Sequence, residues 1–256
     1  MYYYIFDIKR CKNKTLVTDI KSYLSSLGIS GEFTYPSAAY TTEELVDLGI
    51  SKKYNTIVGI GSDDLANSIA SRLCGRQEAM GMIPLEASAE LTALIGAKTW
   101  REGAENLRYR KITTMKIGKT ANGSGFLTDL ELALKGPTEI TIEFRDYMVQ
   151  AKVTKLVISN FNPEITKIGP DFLDVVFESV APEQNMLSRI GNFLGMGKDD
   201  HKSSFSLFRG RSLRLFTSSQ IPLASKGHAI AKTPQLVESS DEDLRLIIGK
   251  KSVILE

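Results

Sequence analysis

Thr56-Ile57-Val58-Gly59-Ile60-Gly61-Ser62-Asp63-Asp64-Leu65 is an apolar run that ends in a glycine, a serine and two carboxylates. Thr56 to Ile60 is short, β-branched and free of charge, as a strand buried on both faces must be. Asp63 or Asp64 then opens a helix that carries Leu65, Ile69 and Leu73 at helical spacing. A buried strand turning straight into a helix is the building unit of a parallel sheet. The same order recurs on both sides of it. Tyr2 to Phe6 reads as a strand, followed by a helix on Leu16, Ile20, Tyr23, Leu24 and Leu27 with Gly28 as its stop. Glu32 to Tyr35 is a second short strand, and Thr41 with Glu44 forms a capping box for a helix through Leu48. Ala79 to Leu85 is a fourth strand, after which Ser88 begins a helix through Ile95. Repeated strand and helix imply a parallel sheet with helices on both faces.

The pattern changes after about Gly103. Residues 109–118, 138–145, 151–160, 173–180 and 204–217 read as strands, with turn signals at Ala121-Asn122-Gly123, Gly136-Pro137 and Asn162-Pro163. Strand following strand predicts an antiparallel sandwich or a barrel-like second domain. Thr99 to Arg110 is polar and charged, and the junction is placed there. The expected units are residues 1–103 as the α/β half and 104–256 as the β half, with residues 243–249 as a last strand that returns to the first half. Met186, Leu187, Ile190, Phe193 and Leu194 form one amphipathic helical stripe between Met186 and Met196. It would pack on its own domain or touch a lipid surface.

Composition narrows the class. The 256 residues carry 32 Lys and Arg against 30 Asp and Glu, a net charge of +2 that gives no reason to expect nucleic acid as a partner. Two cysteines, Cys11 and Cys74, make no disulfide or zinc framework and suit a reducing, cytoplasmic setting. No charge-free run approaches the ~20 residues of a membrane span, and Asp7 and Lys9 come too early for a secretory signal.

The residues with chemical promise are few. Gly61, Ser62, Asp63 and Asp64 sit at a strand-to-helix turn, where backbone N–H groups at a helix start can bind phosphate. Two adjacent carboxylates repel phosphate unless a divalent cation lies between, so Asp63 and Asp64 are the candidate magnesium ligands. The plainer alternative is that both aspartates cap the helix while the glycines ease packing. His228 follows Lys226-Gly227 in a hairpin turn and is a candidate base, although a lone turn histidine is more often structural. His201 lies in a polar turn. Arg209, Arg211 and Arg214 alternate with Leu213 and Leu215 as one solvated strand face does.

Taken in order, these parts resemble the bacterial diacylglycerol kinase family, of the superfamily that also holds sphingosine and NAD kinases. Thr56 to Leu65 resembles a strand followed by G-G-D-G-T. Met80-Gly81-Met82-Ile83-Pro84-Leu85 is similar to the family's next strand, and Ala121 to Leu127 to its segment containing N-x-x-F-x-N. Leu156 to Asn160 and Leu173-Asp174-Val175 resemble sandwich strands. The run from Phe208 to Arg214, through Pro222 and Lys226-Gly227-His228 to Thr233-Pro234, follows the last third of these kinases. The resemblance implies a Rossmann-like α/β nucleotide-binding domain and a β-sandwich, with ATP, Mg and a lipid such as diacylglycerol meeting between them. It also implies passing contact with the inner membrane surface, and leaves room for a homodimer.

The same resemblance exposes departures. With Leu65 as anchor, Ile60, Gly61, Ser62, Asp63 and Asp64 stand in place of G-G-D-G-T, so one glycine is kept. Glu86-Ala87-Ser88-Ala89-Glu90 replaces a G-T-x-N-D turn, and Ile8 to Asn13 replaces a phosphate loop, with Lys9 and Arg10 left to supply charge. Lys226 stands where the family holds its base aspartate, and a protonated lysine accepts no proton. Two functions are therefore expected: an ATP-dependent lipid kinase using Asp63 and His228, or a catalytically inactive pseudokinase that binds lipid or nucleotide.

Overall fold

The computed structural model describes residues 1–7, 14–161, 171–179 and 204–255. Lys9, Arg10, His201 and the Met186–Met196 stripe lie outside them. Among the described residues, six strands form one sheet in the order β2 (Gly31–Thr34), β1 (Tyr2–Phe6), β3 (Thr56–Gly61), β4 (Ala79–Pro84), β17 (Leu244–Ile248) and β5 (Lys111–Met115). The first five run parallel and β5 closes the edge antiparallel to β17. Alternation along the strands sends Tyr3, Ile5, Ile57, Met80 and Met82 to one face and Tyr4, Phe6, Val58, Ile60 and Ile83 to the other. Helices α2 (Thr42–Ser51), α3 (Asp63–Leu73) and α4 (Ala89–Ile95) cover the first face, while α1 (Lys14–Ser26) and α5 (Trp100–Tyr109) cover the second. With both faces covered, every residue of β3 is buried.

The other described strands build an antiparallel sheet that curls on itself. Its order is β15 (His228–Lys232), β14 (Pro222–Ser225), β8 (Asp129–Leu132), β10 (Met148–Ser159), β9 (Thr138–Phe144), β13 (Ser212–Thr217), β16 (Gln235–Ser239), β6 (Gly118–Thr120) and β7 (Gly125–Phe126). β11 (Leu173–Ser179) pairs with β10, and β12 (Ser204–Gly210) pairs with β11. Phe126, Leu130, Ile142, Leu156, Val175, Leu213 and Val237 fill its interior. An α/β half and a β-sandwich-like half are the architecture expected from the sequence.

Local signals hold well. Thr41 and Glu44 make the reciprocal capping box, and Ser88 caps α4 by accepting from Leu91 N at 3.1 Å. The polar stretch Thr99 to Arg110, read from the sequence only as the place of the junction, forms α5, capped by a second reciprocal box of Thr99 and Glu102. Its buried face is narrow because Gly103, Ala104 and Leu107 lie close against β4. Residues 204–217 are two strands, broken at Arg211 because the chain leaves β11 and crosses to β9 and β16.

Candidate functional site

The two halves meet in a cleft of about 410 Å³, lined on one side by Asp64, Asn67, Ser68 and Ser71 of α3 and on the other by Asn122 to Gly125 and His228. Along α3, Asp63, Asn67 and Ser71 recur every fourth residue, so they share a face, and that face is the seam between the halves. Asn67 is buried there, donating from Nδ2 to Ser225 Oγ at 3.0 Å while its Oδ1 accepts from Leu127 N at 2.9 Å. Ser71 Oγ donates to Asn67 O and accepts from Gly125 N at 2.8 Å. A Cβ on Gly125 would come within 2.5 Å of that hydroxyl, so only glycine allows the two chains this close.

The two aspartates part company at the start of α3. Asp63 is buried at the first helical position, accepting from Ser88 Oγ at 2.6 Å and from Ser88 N at 2.8 Å. One carboxylate thereby joins the N-termini of α3 and α4, where negative charge is favoured by both helices. Asp64, the next residue, is half-buried and lines the cleft. The helix cap itself is Ser62, whose buried hydroxyl makes no cap bond and has no partner within the described residues. Gly61 belongs to β3, and a Cβ there would lie 2.8 Å from Asp7 Cβ and 3.0 Å from Leu65 Cδ2. Gly59 is equally confined by Ile69 and Met82. These glycines are used to seat α3 on the sheet.

The second turn of interest joins β14 to β15. Ser225 pairs with His228 across a two-residue loop, Lys226-Gly227, with φ of +46° and +86°. Two positive φ values are what a type I′ hairpin requires, and a lysine adopts one less readily than glycine. Lys226 is held by its side chain: Nζ lies 3.0 Å from Glu90 Oε2 and 3.1 Å from Asp129 Oδ2. Asp129 also accepts from Ser159 Oγ at 2.6 Å. Burial pulls the ammonium pKa down, but the hydrogen bond to Glu90 and the charge of Asp129 more than offset it, and the net shift is above 10.5. Burial pushes Glu90 up, yet its own backbone N–H and Lys226 leave it net below 4.5. The cation thus ties α4 of one half to β8 of the other. His228 is exposed on the rim of the same cleft as Asp64.

Of the predicted site residues, then, Asp64 and His228 share a cleft and Asp63 is turned into the seam. Among the described residues no group of three His, Cys, Asp or Glu side chains converges as a metal site. Gly59 and Gly61 are packed closely against neighbouring side chains, and the described cleft lining holds Glu43 and Asp64 but no Lys or Arg, so among the described residues no cation of this lining neutralises a triphosphate. Asn67 and Asp129 were not singled out from the sequence, and Ser88 and Glu90 were read only as a helix start and a departure from the family's turn; the four-residue spacing of Asp63, Asn67 and Ser71 was a further legible sign.

No family model and no curated protein matches the chain. Solved structures do. A diacylglycerol kinase from Bacillus anthracis str. Sterne is 13% identical over 97% of each chain, with a TM-score of 0.71. A proposed diacylglycerol kinase from the same organism is 14% identical over 97% of each chain, with a TM-score of 0.76. An NAD kinase from Archaeoglobus fulgidus, crystallised with ATP, is 12% identical over 98% of this chain and 95% of that one, with a TM-score of 0.57. The chain shares the fold of these solved structures.

Proposed function

We propose that this chain is a ligand-binding protein on a lipid-kinase fold, and that it does not transfer phosphate. The observation behind this reading is the triad Glu90–Lys226–Asp129. Lys226 stands where the resemblance puts the base aspartate, and its ammonium is a donor only, with no lone pair to take a hydroxyl proton. Releasing that proton would require neutral lysine between two carboxylates, against the direction in which they shift it. The closed glycine turn adds to this, because phosphoryl transfer depends on positioning and neutralising phosphate. The ligand class is a lipid such as diacylglycerol, or a nucleotide, seated through its uncharged hydrogen-bonding part against Asn122, Ser68 and His228. Contact with a membrane would be peripheral; among the described residues no helix is long and apolar enough to cross one.

Transfer remains the second reading because Asp64 and His228 line one cleft. Incubation with labelled ATP, magnesium and a panel of diacylglycerol-type lipids separates the two. The binding reading expects no phospholipid product, together with thermal stabilisation by a member of the panel or by adenosine. Turnover that disappears in Asp64→Ala or His228→Ala would overturn it.

A further inference from the structure

Arg101, Arg108, Arg110, Lys111 and Lys250 lie along α5, at the start of β5 and on the turn that follows β17. The two stretches that build this face, 97–112 and 244–254, are described throughout. Arg101 and Arg108 are two helical turns apart and share one side of α5. Lys111 pairs with Ile248 across the β5–β17 ladder, and Lys250 Nζ lies 5.7 Å from the centre of the Tyr109 ring. Gly249 leaves no room for a Cβ against Asn106, so the turn is pressed onto the helix. The carboxylates of the face are already engaged. Glu102 holds Lys251 at 2.8 Å and the N–H groups of Lys98 and Thr99, and Glu105 accepts from the Tyr23 hydroxyl at 3.0 Å. The five cations make no ion pair among the described residues. The C-terminal dipole of α5 accounts for Arg108 and Arg110, but Lys111 is on a strand and Lys250 on a turn. Arg101 stands in the first turn of α5, where positive charge is disfavoured.

We propose that this face docks an acidic segment of a partner protein, laid along α5 from Arg101 towards Lys250. Grouped like charges repel, and carboxylates that cover them relieve the repulsion. Three of the five are arginines, whose fork of donors matches a carboxylate. Arg101 and Arg108 are about 10 Å apart along the helix axis, and an extended peptide sets alternate side chains about 7 Å apart, so roughly five residues with Asp or Glu at alternate positions span the row. Lipid is the poorer fit. Tyr109 is the one large apolar side chain exposed on this face among the described residues, whereas a bilayer surface is held by several inserted apolar groups. Nucleic acid fits less well too, because Trp100 and Tyr109 carry Arg101 and Lys250 over their rings where a base would stack. The face lies outside the cleft lining, so the inference is independent of whether the cleft binds or transfers.

Fluorescence anisotropy of a labelled peptide of alternating Asp, Glu and Ser, titrated with the full chain, tests it. The expected result is saturable binding at low salt that weakens about tenfold at physiological ionic strength, with no binding of the same peptide carrying Asn and Gln instead. Arg108→Glu combined with Lys250→Glu should raise the dissociation constant by about tenfold or more. Lys135→Glu, which reverses an exposed charge of the β half, should leave it within about twofold. Arg108 and Lys250 are both exposed, so unchanged thermal unfolding shows that the double variant folds. Absence of peptide binding at low salt would overturn the proposal. An equal loss in Lys135→Glu would also overturn it, by reducing the attraction to net charge. So would tighter binding of phosphatidylglycerol vesicles or of a single-stranded oligonucleotide that the double variant abolishes, which would assign the face to lipid or to nucleic acid.

Discussion

The seam between the two halves is closed differently at its floor and at its rim. The floor is neutral and largely buried: Asn67 and Ser71 of α3 bond to Leu127, Ser225 and Gly125. The rim is charged and partly wet, with Lys226 between Glu90 and Asp129 at side-chain exposures of 28%, 31% and 15%. A buried polar group that loses its partner keeps its full desolvation cost, whereas an ion pair near water is screened. The floor should therefore hold the halves together while the rim sets what chemistry the cleft can do.

The sharpest way to break that contrast is Asn67→Leu. It strips Leu127 N and Ser225 Oγ of their partner, and a loss of about 3 kcal/mol is expected in urea unfolding. A loss below about 1 kcal/mol would mean the floor is not the anchor. Asp63→Ala should follow at about 2 kcal/mol, since two charge-assisted bonds to Ser88 go with it. Asp63→Asn should recover part of that loss without altering ligand binding, which a metal-holding role would not allow.

Lys226→Met should cost about 1 kcal/mol, more at low salt, because it leaves Glu90 and Asp129 facing each other. The pH dependence has a definite sign. Glu90 is depressed, so its contribution is present above 4.5 and fades as pH falls through its lower folded value. Lys226 is raised, so its contribution is present below 10.5 and fades as pH rises through its higher folded value. Thermal unfolding against pH should show the variant losing stability relative to wild type across the neutral range and converging with it at both extremes.

The smallest effect is expected away from the seam, at Glu102. Lys251 and the N–H groups of Lys98 and Thr99 hold its carboxyl down at about 2. Glu102→Gln should cost under about 1 kcal/mol at neutral pH, because Glu102 is only half-buried and its partner Lys251 is exposed. The difference from wild type should disappear as pH falls from 4.5 towards 2. An effect as large as that of Asn67→Leu would contradict the ranking.

Elements that depend on neighbours in sequence were legible from the residues. Thr56 to Gly61 is uniformly apolar, and the boxes at Thr41/Glu44 and Thr99/Glu102 are written within four positions. The second box went unread because α5 buries glycine and alanine, which give no hydrophobic stripe. The break at Arg211 was hidden for a different reason: both flanking segments alternate as strands, and only their partners differ. The site was less legible. Lys226 could be recognised as a departure from a base, but not as a bridge, since Asp129 lies 97 positions away. Asp63 and Asp64 look equivalent in sequence, and one helical step sends the first into the seam and the second into the cleft.

The proposed function turns on Lys226 closing the proton-accepting position. Its most direct test is phosphoryl transfer from labelled ATP to diacylglycerol-type lipids, measured side by side for the wild-type chain, Asp64→Ala and His228→Ala. No product above buffer is expected for any of the three. Product formed by the wild type and lost in either variant would contradict it.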